Sequence, residues 1–342
     1  MKSAIAQLIK GQDLSGEMMQ DCMRRMMSGQ ANEAEIAAFL TALTIKGETV
    51  EEVSAAAQVM RELALAVALP DKEAVMVDPV GTGGDGASLF NVSTAASIIA
   101  SAAGVKIAKH GNIAASSASG SADVLRQAGV ELTLSAQAVA EMIEECGFGF
   151  MFAQAFHSAM RHVAPVRRAL GIRTVFNVLG PLSNPAGVKY HLFGVFSRAW
   201  LMPMAEVAKN LGAKKVLVVH SDNGLDEFSI THPNTYVEMQ ADGSLLEMRL
   251  DPLELEMRYN DHRALQVQDS AQSLALIEAI FDGGGPAIGL DMLALNAAAI
   301  FKVAGLCENW QDGIVLAKDT IRTGKAKAQL ARIARFSQGI RR

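Results

Sequence analysis

Through the first 70 residues apolar positions recur every three or four residues with polar ones between them, which predicts amphipathic helices over 14–28, 32–45 and 49–65. Thr49 and Glu52 stand at capping-box spacing at the head of the third, and Gly29 and Gly47 supply stops. Met19, Met23 and Met26 share one helical face. Such a stripe reads first as core packing and second, through its adaptable thioethers, as a subunit contact. From Ala74 the period shortens. Runs rich in β-branched residues at 75–77, 105–108 and 216–219 predict strands, alternating with small-residue helices at 95–103 and 122–127. A helical lobe followed by an α/β lobe is the expected organisation.

Composition agrees with a packed protein and narrows its partners. Half of the 342 residues are apolar, enough for a sizeable core, and no uninterrupted apolar run reaches the roughly 18 to 20 residues that cross a membrane. Residues 1–10 are too short and too mixed for a secretory signal. Lys plus Arg number 31 against 36 Asp plus Glu, a net charge of −5, so the broad basic surface of a dedicated nucleic-acid binder is missing. Cys22, Cys146 and Cys307 show neither metal-ligand spacing nor a paired framework, which fits buried thiols in a reducing cytoplasm.

The candidate chemistry begins where the first strand ends. Gly81-Thr82-Gly83-Gly84-Asp85-Gly86, followed by Asn91-Val92-Ser93-Thr94 at a helix start, makes a loop whose bare backbone N–H groups and helix N-terminus suit phosphate. Its spacing matches neither the dinucleotide fingerprint nor the P-loop. Asp85 beside phosphate calls for a hard cation, and Mg²⁺, which takes few carboxylates plus substrate oxygens, fits. Lys109-His110-Gly111-Asn112 follows the second strand and leads into the hydroxyl-rich stretch 116–121, which suits further phosphate oxygens.

Taken in order, these motifs resemble the anthranilate phosphoribosyltransferase family of tryptophan biosynthesis, whose pattern is GTGGDG, N-[VI]-S-[TS], KHGN and S-x-x-S-G-S. The likeness continues through Phe152-Ala153-Gln154, His157, Arg167, residues 177–181, Asn184-Pro185 and Asp226-Glu227, and reaches from 43–49 to 295–299. It implies an α/β fold of the nucleoside phosphorylase/phosphoribosyltransferase type, in which a small helical domain, 1–70 with a helical excursion around 165–190, joins a larger domain, 71–342, with a central mixed sheet flanked by helices. The mixed sheet and the discontinuous boundary come from this resemblance, not from periodicity.

The same resemblance implies a pentosyl transfer from phosphoribosyl pyrophosphate (PRPP) to the amine of anthranilate. PRPP would be held by Gly81, Gly84, Asp85, Leu89, Asn91, Val92, Ser93, Thr94, Lys109, His110, Gly111, Asn112, Ile113, Ala114, Ala115, Ser116, Ser117 and Ser121. Anthranilate would meet Gly81, Asn112, His157, Met160 and Arg167, with His110 also shaping its channel. Ser93, Asp226 and Glu227 would hold Mg²⁺, two ions per subunit, in a cytoplasmic homodimer without nucleic-acid or membrane partners. No acid or base is assigned, because an aromatic amine is already unprotonated at neutral pH. Read without the resemblance, Asp226-Glu227 is an acidic turn and Arg167 a surface ion-pair residue.

Two positions depart from the pattern. Ile113 follows KHGN where the family usually has Arg, and Ala118 stands where many members place Lys, so positive charge is lost beside the expected ligand. Two other readings follow. A pyrimidine nucleoside phosphorylase would share the architecture, but its glycine loop differs and no uridine or thymidine motif is present. A noncatalytic homologue binding nucleic acid draws support only from Ile113 and Ala118, against the net acidity.

Overall fold

The computed structural model describes residues 1–71, 73–84, 86–114 and 118–340. The chain opens with helices α1 (Lys2–Ile9), α2 (Gly16–Met27), α3 (Glu33–Lys46) and α4 (Val50–Glu62). The expected capping box is present: Thr49 Oγ1 accepts from the Glu52 N–H at 3.2 Å and Glu52 Oε2 accepts from the Thr49 N–H at 2.8 Å. Glu52 is fully buried, and its carboxylate also accepts from Leu14 N–H and from Lys46, joining α3, α4 and the lead into α2. Met19, Met23 and Met26 are all buried, each worth about 1.5–3 kcal/mol of transfer free energy. Core packing is therefore the role of that stripe within one chain. Cys22 and Cys146 are buried, Cys307 is half-buried, and all three are free thiols.

The α/β part follows as β1 (Met76–Gly81), α5 (Val92–Ala102), β2 (Lys106–Gly111), α6 (Ser121–Gln127), α7 (Ala136–Cys146) and β3 (Phe148–Phe152), then a segment with α8 (Ala153–Phe156), α9 (Ala164–Leu170) and α10 (Phe176–Leu182). It continues with β4 (Tyr190–Gly194), α11 (Leu201–Asn210), β5 (Lys215–Ser221), β6 (Asn234–Met239) and β7 (Leu245–Leu250), and closes with α12 (Ser270–Phe281), α13 (Ala287–Ala304), α14 (Trp310–Arg322) and α15 (Lys325–Gly339). The strands form one mixed sheet, β3-β2-β1-β4-β5-β6-β7, parallel up to β5 and antiparallel beyond it.

Alternation along the strands divides the apolar interior in two. Leu217 and Val219 of β5 face a core built with α5, α7 and α13, whereas Val216 and Val218 face a second core. That second core contains α1–α4, α11 and also Val163, Val166, Phe176 and Leu179 from the segment between β3 and β4. The helical start thus packs onto one face of the sheet. Arg61 of α4 pins the junction, donating from Nε to Leu182 O (2.7 Å) and from Nη1 to Leu211 O (3.3 Å) at the C-terminal ends of α10 and α11. Its burial pulls the guanidinium pKa down to about 10.

α13 has the length and mean hydropathy, 1.6, of a membrane-crossing helix, but 67% of it is buried against α5, α14, β1 and β4, which makes it a core helix here.

Two strands run further than the apolar runs predict. β1 extends through Asp78 and Pro79 to Gly81, and β2 takes in Lys109, His110 and Gly111, because pairing with β4 and β3 overrides the weak propensity of these residues. Proline cannot donate into a ladder, and the β1–β2 pairing stops at Val77↔Ile107, just before Pro79. In the resulting gap the Asp78 carboxylate accepts the His110 N–H at 3.0 Å and Lys109 Nζ donates to Pro79 O.

Candidate active site

Strand order locates the site. From β1 the chain builds β2 and β3 on one side and then crosses to β4 on the other, so a crevice opens beyond the carboxyl ends of β1 and β4, where ligands bind in open α/β sheets. Gly81 and Gly194 are register partners at that edge. The loop carrying Asp226 lies directly on both: a Cβ on Gly81 would overlap the Asp226 carboxylate, and one on Gly194 would overlap the Asp226 backbone carbonyl. Gly194→Ala should therefore unseat this loop and destabilise the protein by about 1–3 kcal/mol, read as a lower thermal unfolding midpoint.

The glycine loop leaves this edge with Gly83 and Gly84 at φ +67° and +81°, a backbone that residues with a Cβ rarely adopt. Thr82 N–H donates to Gly194 O and Thr82 Oγ1 accepts from Phe196 N–H, which ties the loop to the end of β4. Gly83 N–H donates to Asp226 Oδ2 at 2.6 Å. At the start of α5, Asn91 caps the helix by accepting from Thr94 N–H, and Ser93 N–H donates to Glu227 Oε1 at 3.1 Å. Two of the backbone donors expected to meet phosphate are thus met by carboxylates. Gly81, Ser93, Asp226 and Glu227 line one small cavity of about 20 Å³.

Lys109 is buried beneath this cluster, with Nζ 3.3 Å from Ser93 Oγ. Burial pushes its pKa down to about 8, and Asp78, Glu227 and Asp226 pull it back up. Asp78 is wholly buried, accepts from Asn184 Nδ2 at 2.7 Å, and is pushed up to about 6 by desolvation. Asn296, a polar residue in the apolar run of α13, accepts from Phe228 N–H and donates to Phe228 O, fixing the exit of the carboxylate loop.

The second loop is shaped by Asp123, whose Oδ2 accepts from Ala114 N–H (2.8 Å) and Gly120 N–H (3.1 Å). Asn112 Oδ1 accepts from Ile113 N–H and lies 3.4 Å from Gln154 Nε2, and Ser121 Oγ lies 3.4 Å from Asn112 O. Ile113 is 39% exposed and Ala118 packs half-buried against the larger core, so neither brings charge. Leu89 and Val92 act through backbone and packing: Leu89 bridges to Gln266 and Val92 is buried. The expected contacts at Asp85, Ala115, Ser116 and Ser117 lie outside the described residues.

His110 and His157 face each other with ring centroids 5.0 Å apart, and both Nε2 atoms are buried without a hydrogen-bond partner among the described residues. His110 Nδ1 lies 3.1 Å from Gly180 O. Burial holds His110 at about 3 and His157 at about 4, so both imidazoles are neutral near pH 7 and far too weak to serve as bases there. They suit a wall. Met160 and Arg167 lie on the segment between β3 and β4, where Arg167 sits 5.2 Å from the Phe176 ring centroid, has no carboxylate within 4 Å among the described residues, and is lowered in pKa by burial. No ion pair among the described residues accounts for Arg167.

Ser93, Asp226 and Glu227 offer hard oxygens, and no cluster of three or more His, Cys, Asp or Glu is found among the described residues. Two carboxylates and a hydroxyl beside a phosphate cradle fit Mg²⁺, which completes its shell with substrate oxygens and water. Asp78, Asn296 and Arg173, whose guanidinium meets Gly84 O, are site neighbours that motif reading missed. For Asp78 and Asn296 a signal was available, a lone polar residue within an apolar strand or helix.

Residues 73–327 match the model of the glycosyl transferase family a/b domain, and residues 2–64 that of its helical bundle domain. The anthranilate phosphoribosyltransferase of Saccharophagus degradans is 48% identical over 340 residues, covering 98% of this chain and 99% of its own, and that of Marinomonas sp. is 47% identical over 99% and 97%. Among solved structures, the enzyme of that name from Thermus thermophilus superposes with TM-score 0.91 at 42% identity over 98% of this chain and 99% of its own. The one from Saccharomyces cerevisiae in complex with PRPP and Mg superposes with TM-score 0.90 at 28% identity over 99% and 98%.

Proposed function

Because this chain belongs to the anthranilate phosphoribosyltransferase family, we propose that it transfers the 5-phosphoribosyl group of PRPP to the amine of anthranilate, giving N-(5-phosphoribosyl)anthranilate and pyrophosphate in tryptophan biosynthesis. The observation that carries the reading is the convergence of the glycine loop, the α5 N-terminus, Lys109 and the Asp226-Glu227 pair on the edge where Gly81 meets Gly194.

The difficult step is departure of a highly charged pyrophosphate from the anomeric carbon as positive charge develops there. The amine nitrogen forms the new bond to that carbon, the carbon–oxygen bond to pyrophosphate breaks with its electron pair going to the departing oxygen, and the nitrogen gives up a proton to water or to the released pyrophosphate. Backbone N–H groups of the glycine loop and α5, with the Lys109 ammonium, hold the leaving group. Mg²⁺ supplies charge neutralisation of pyrophosphate when bound. Ser93 and Glu227 would hold one ion and Asp226 and Glu227 a second, the same carboxylates that accept the Gly83 and Ser93 N–H groups.

On the acceptor side, Arg167 offers a planar fork to the anthranilate carboxylate, Asn112 a polar contact, and His110, His157 and Met160 neutral walls. Arg167→Ala should raise KM for anthranilate about 10- to 100-fold while KM for PRPP stays within about twofold, the loss expected for one charge-assisted pair. Steady-state kinetics varying each substrate in turn would check it.

The same reading takes residues 1–70 with the 165–190 excursion as the helical domain and 71–342 as the transfer domain, in a cytoplasmic homodimer. Ile9 on α1 and Ile45 on α3, 73% and 82% exposed on helices that pack together, suit contact with a second copy. Light scattering across a concentration series tests that assembly. The direct test of function is anthranilate fluorescence in the presence of PRPP and Mg²⁺, with the product confirmed by mass. Consumption that requires all three components is expected; absence of turnover in folded protein would overturn the assignment.

A further inference from the structure

From residue 147 to 205 the chain has no aspartate or glutamate, yet it carries Arg161, Arg167, Arg168, Arg173, Lys189 and Arg198. Lys189 and Arg198 are used in ion pairs, with Glu73 and Glu247. Arg173 is the cation of this stretch that reaches the glycine loop. Its Nη2 donates to Gly84 O at 2.5 Å, and its Cζ lies 4.2 Å from the centroid of Phe196. Phe196 is itself joined to the loop through its N–H to Thr82 Oγ1. No carboxylate lies within 4 Å of Arg173 among the described residues.

A guanidinium has five N–H donors, and the carbonyl of Gly84 takes one direction of that fork. The absent side chain at Gly84 is what lets it come so near, since a Cβ there would lie 3.2 Å from Nη2. An aromatic face beneath it, a backbone oxygen at one edge and no acidic partner among the described residues leave an oriented cation beside donors that suit phosphate. Arg173 is exposed at the edge of the glycine loop, and its hydrogen bond to Gly84 O uses one N–H of the fork, which leaves others for a bound anion.

We propose that Arg173 contacts PRPP directly, supplying the positive charge for a phosphate group seated on the glycine loop from the same segment that carries Arg167. The inference rests on the phosphoribosyl-transfer reading and adds a residue to its donor site.

The test is calorimetric titration of the Mg²⁺–PRPP complex into wild-type protein, Arg173→Gln and Arg173→Lys over a range of KCl, with KM values for both substrates. Gln keeps a polar N–H donor on a shorter side chain and removes the charge, and Lys keeps the charge without the planar fork. The expected result is a PRPP affinity weakened about 10- to 100-fold in Arg173→Gln, a shallower salt dependence, an unchanged KM for anthranilate and partial recovery in Arg173→Lys. Arg173→Gln with wild-type affinity and salt dependence would overturn the proposal while leaving the enzyme reading intact. A wild-type protein that neither binds PRPP nor turns over would overturn both.

Discussion

The Asp226→Asn, Glu227→Gln double variant should lose activity by about 10³-fold or more in kcat, with a thermal midpoint within about 2 °C of wild type. Stability is spared because each substitution keeps an oxygen in place: the Gly83 N–H finds an amide oxygen at position 226, as the Ser93 N–H does at 227. What disappears is charge. Both carboxylates reach the crevice from one short loop held by Asn296 and pressed on Gly81 and Gly194, so the double variant removes the negative charge of that loop in one step. Turnover measured against Mg²⁺ concentration checks this, and each single variant should respond to higher Mg²⁺ more than the double one. Retained turnover in the double variant would remove the metal assignment.

Acid should destabilise the protein well before carboxylate titration does. His110, His157 and His191 are buried, and desolvation lowers them from 6.5 to about 3, about 4 and about 3. Their folded pKa values lie below the unfolded one, so their contribution is present above pH 6.5 and is lost as pH falls toward 4. Asp78 works in the opposite direction. Burial raises it from 3.8 to about 6, and its contribution is lost as pH rises through 6. Three groups outweigh one: the net loss between pH 7 and 5 is on the order of 4 kcal/mol, because each histidine forfeits just under about 2 and Asp78 returns a little over about 1. A fall of about 5 °C in unfolding midpoint over that interval is the expected reading by calorimetry, because a chain of 342 residues loses only about 1.4 °C per kcal/mol. His191 lies outside the proposed site, stacked on Phe193, and His191→Gln should remove about a third of the histidine contribution. A flat midpoint from pH 7 to 5 would show that these imidazoles are not held neutral.

Local chemistry determined a large part of this protein. The amphipathic helices, the Thr49–Glu52 cap, the methionine core and the α/β alternation were readable because each depends on residues a few positions apart, whose spacing directly sets which face is buried. The ordered glycine and KHGN motifs identified the family for the same reason: a phosphate cradle is built from consecutive backbone groups. Tertiary structure decided the rest. Period-two patterning cannot distinguish a strand that ends at Val77 from one that pairs on to Gly81, and only the register with β4 brings Gly81 beside Gly194. The Asp226 contact to Gly83 spans 143 residues and the Arg173 contact to Gly84 spans 89. Neither pairing leaves a local trace, because sequence spacing records which faces neighbouring residues share, whereas the crossing from β3 to β4 sets which distant side chains meet over the loop.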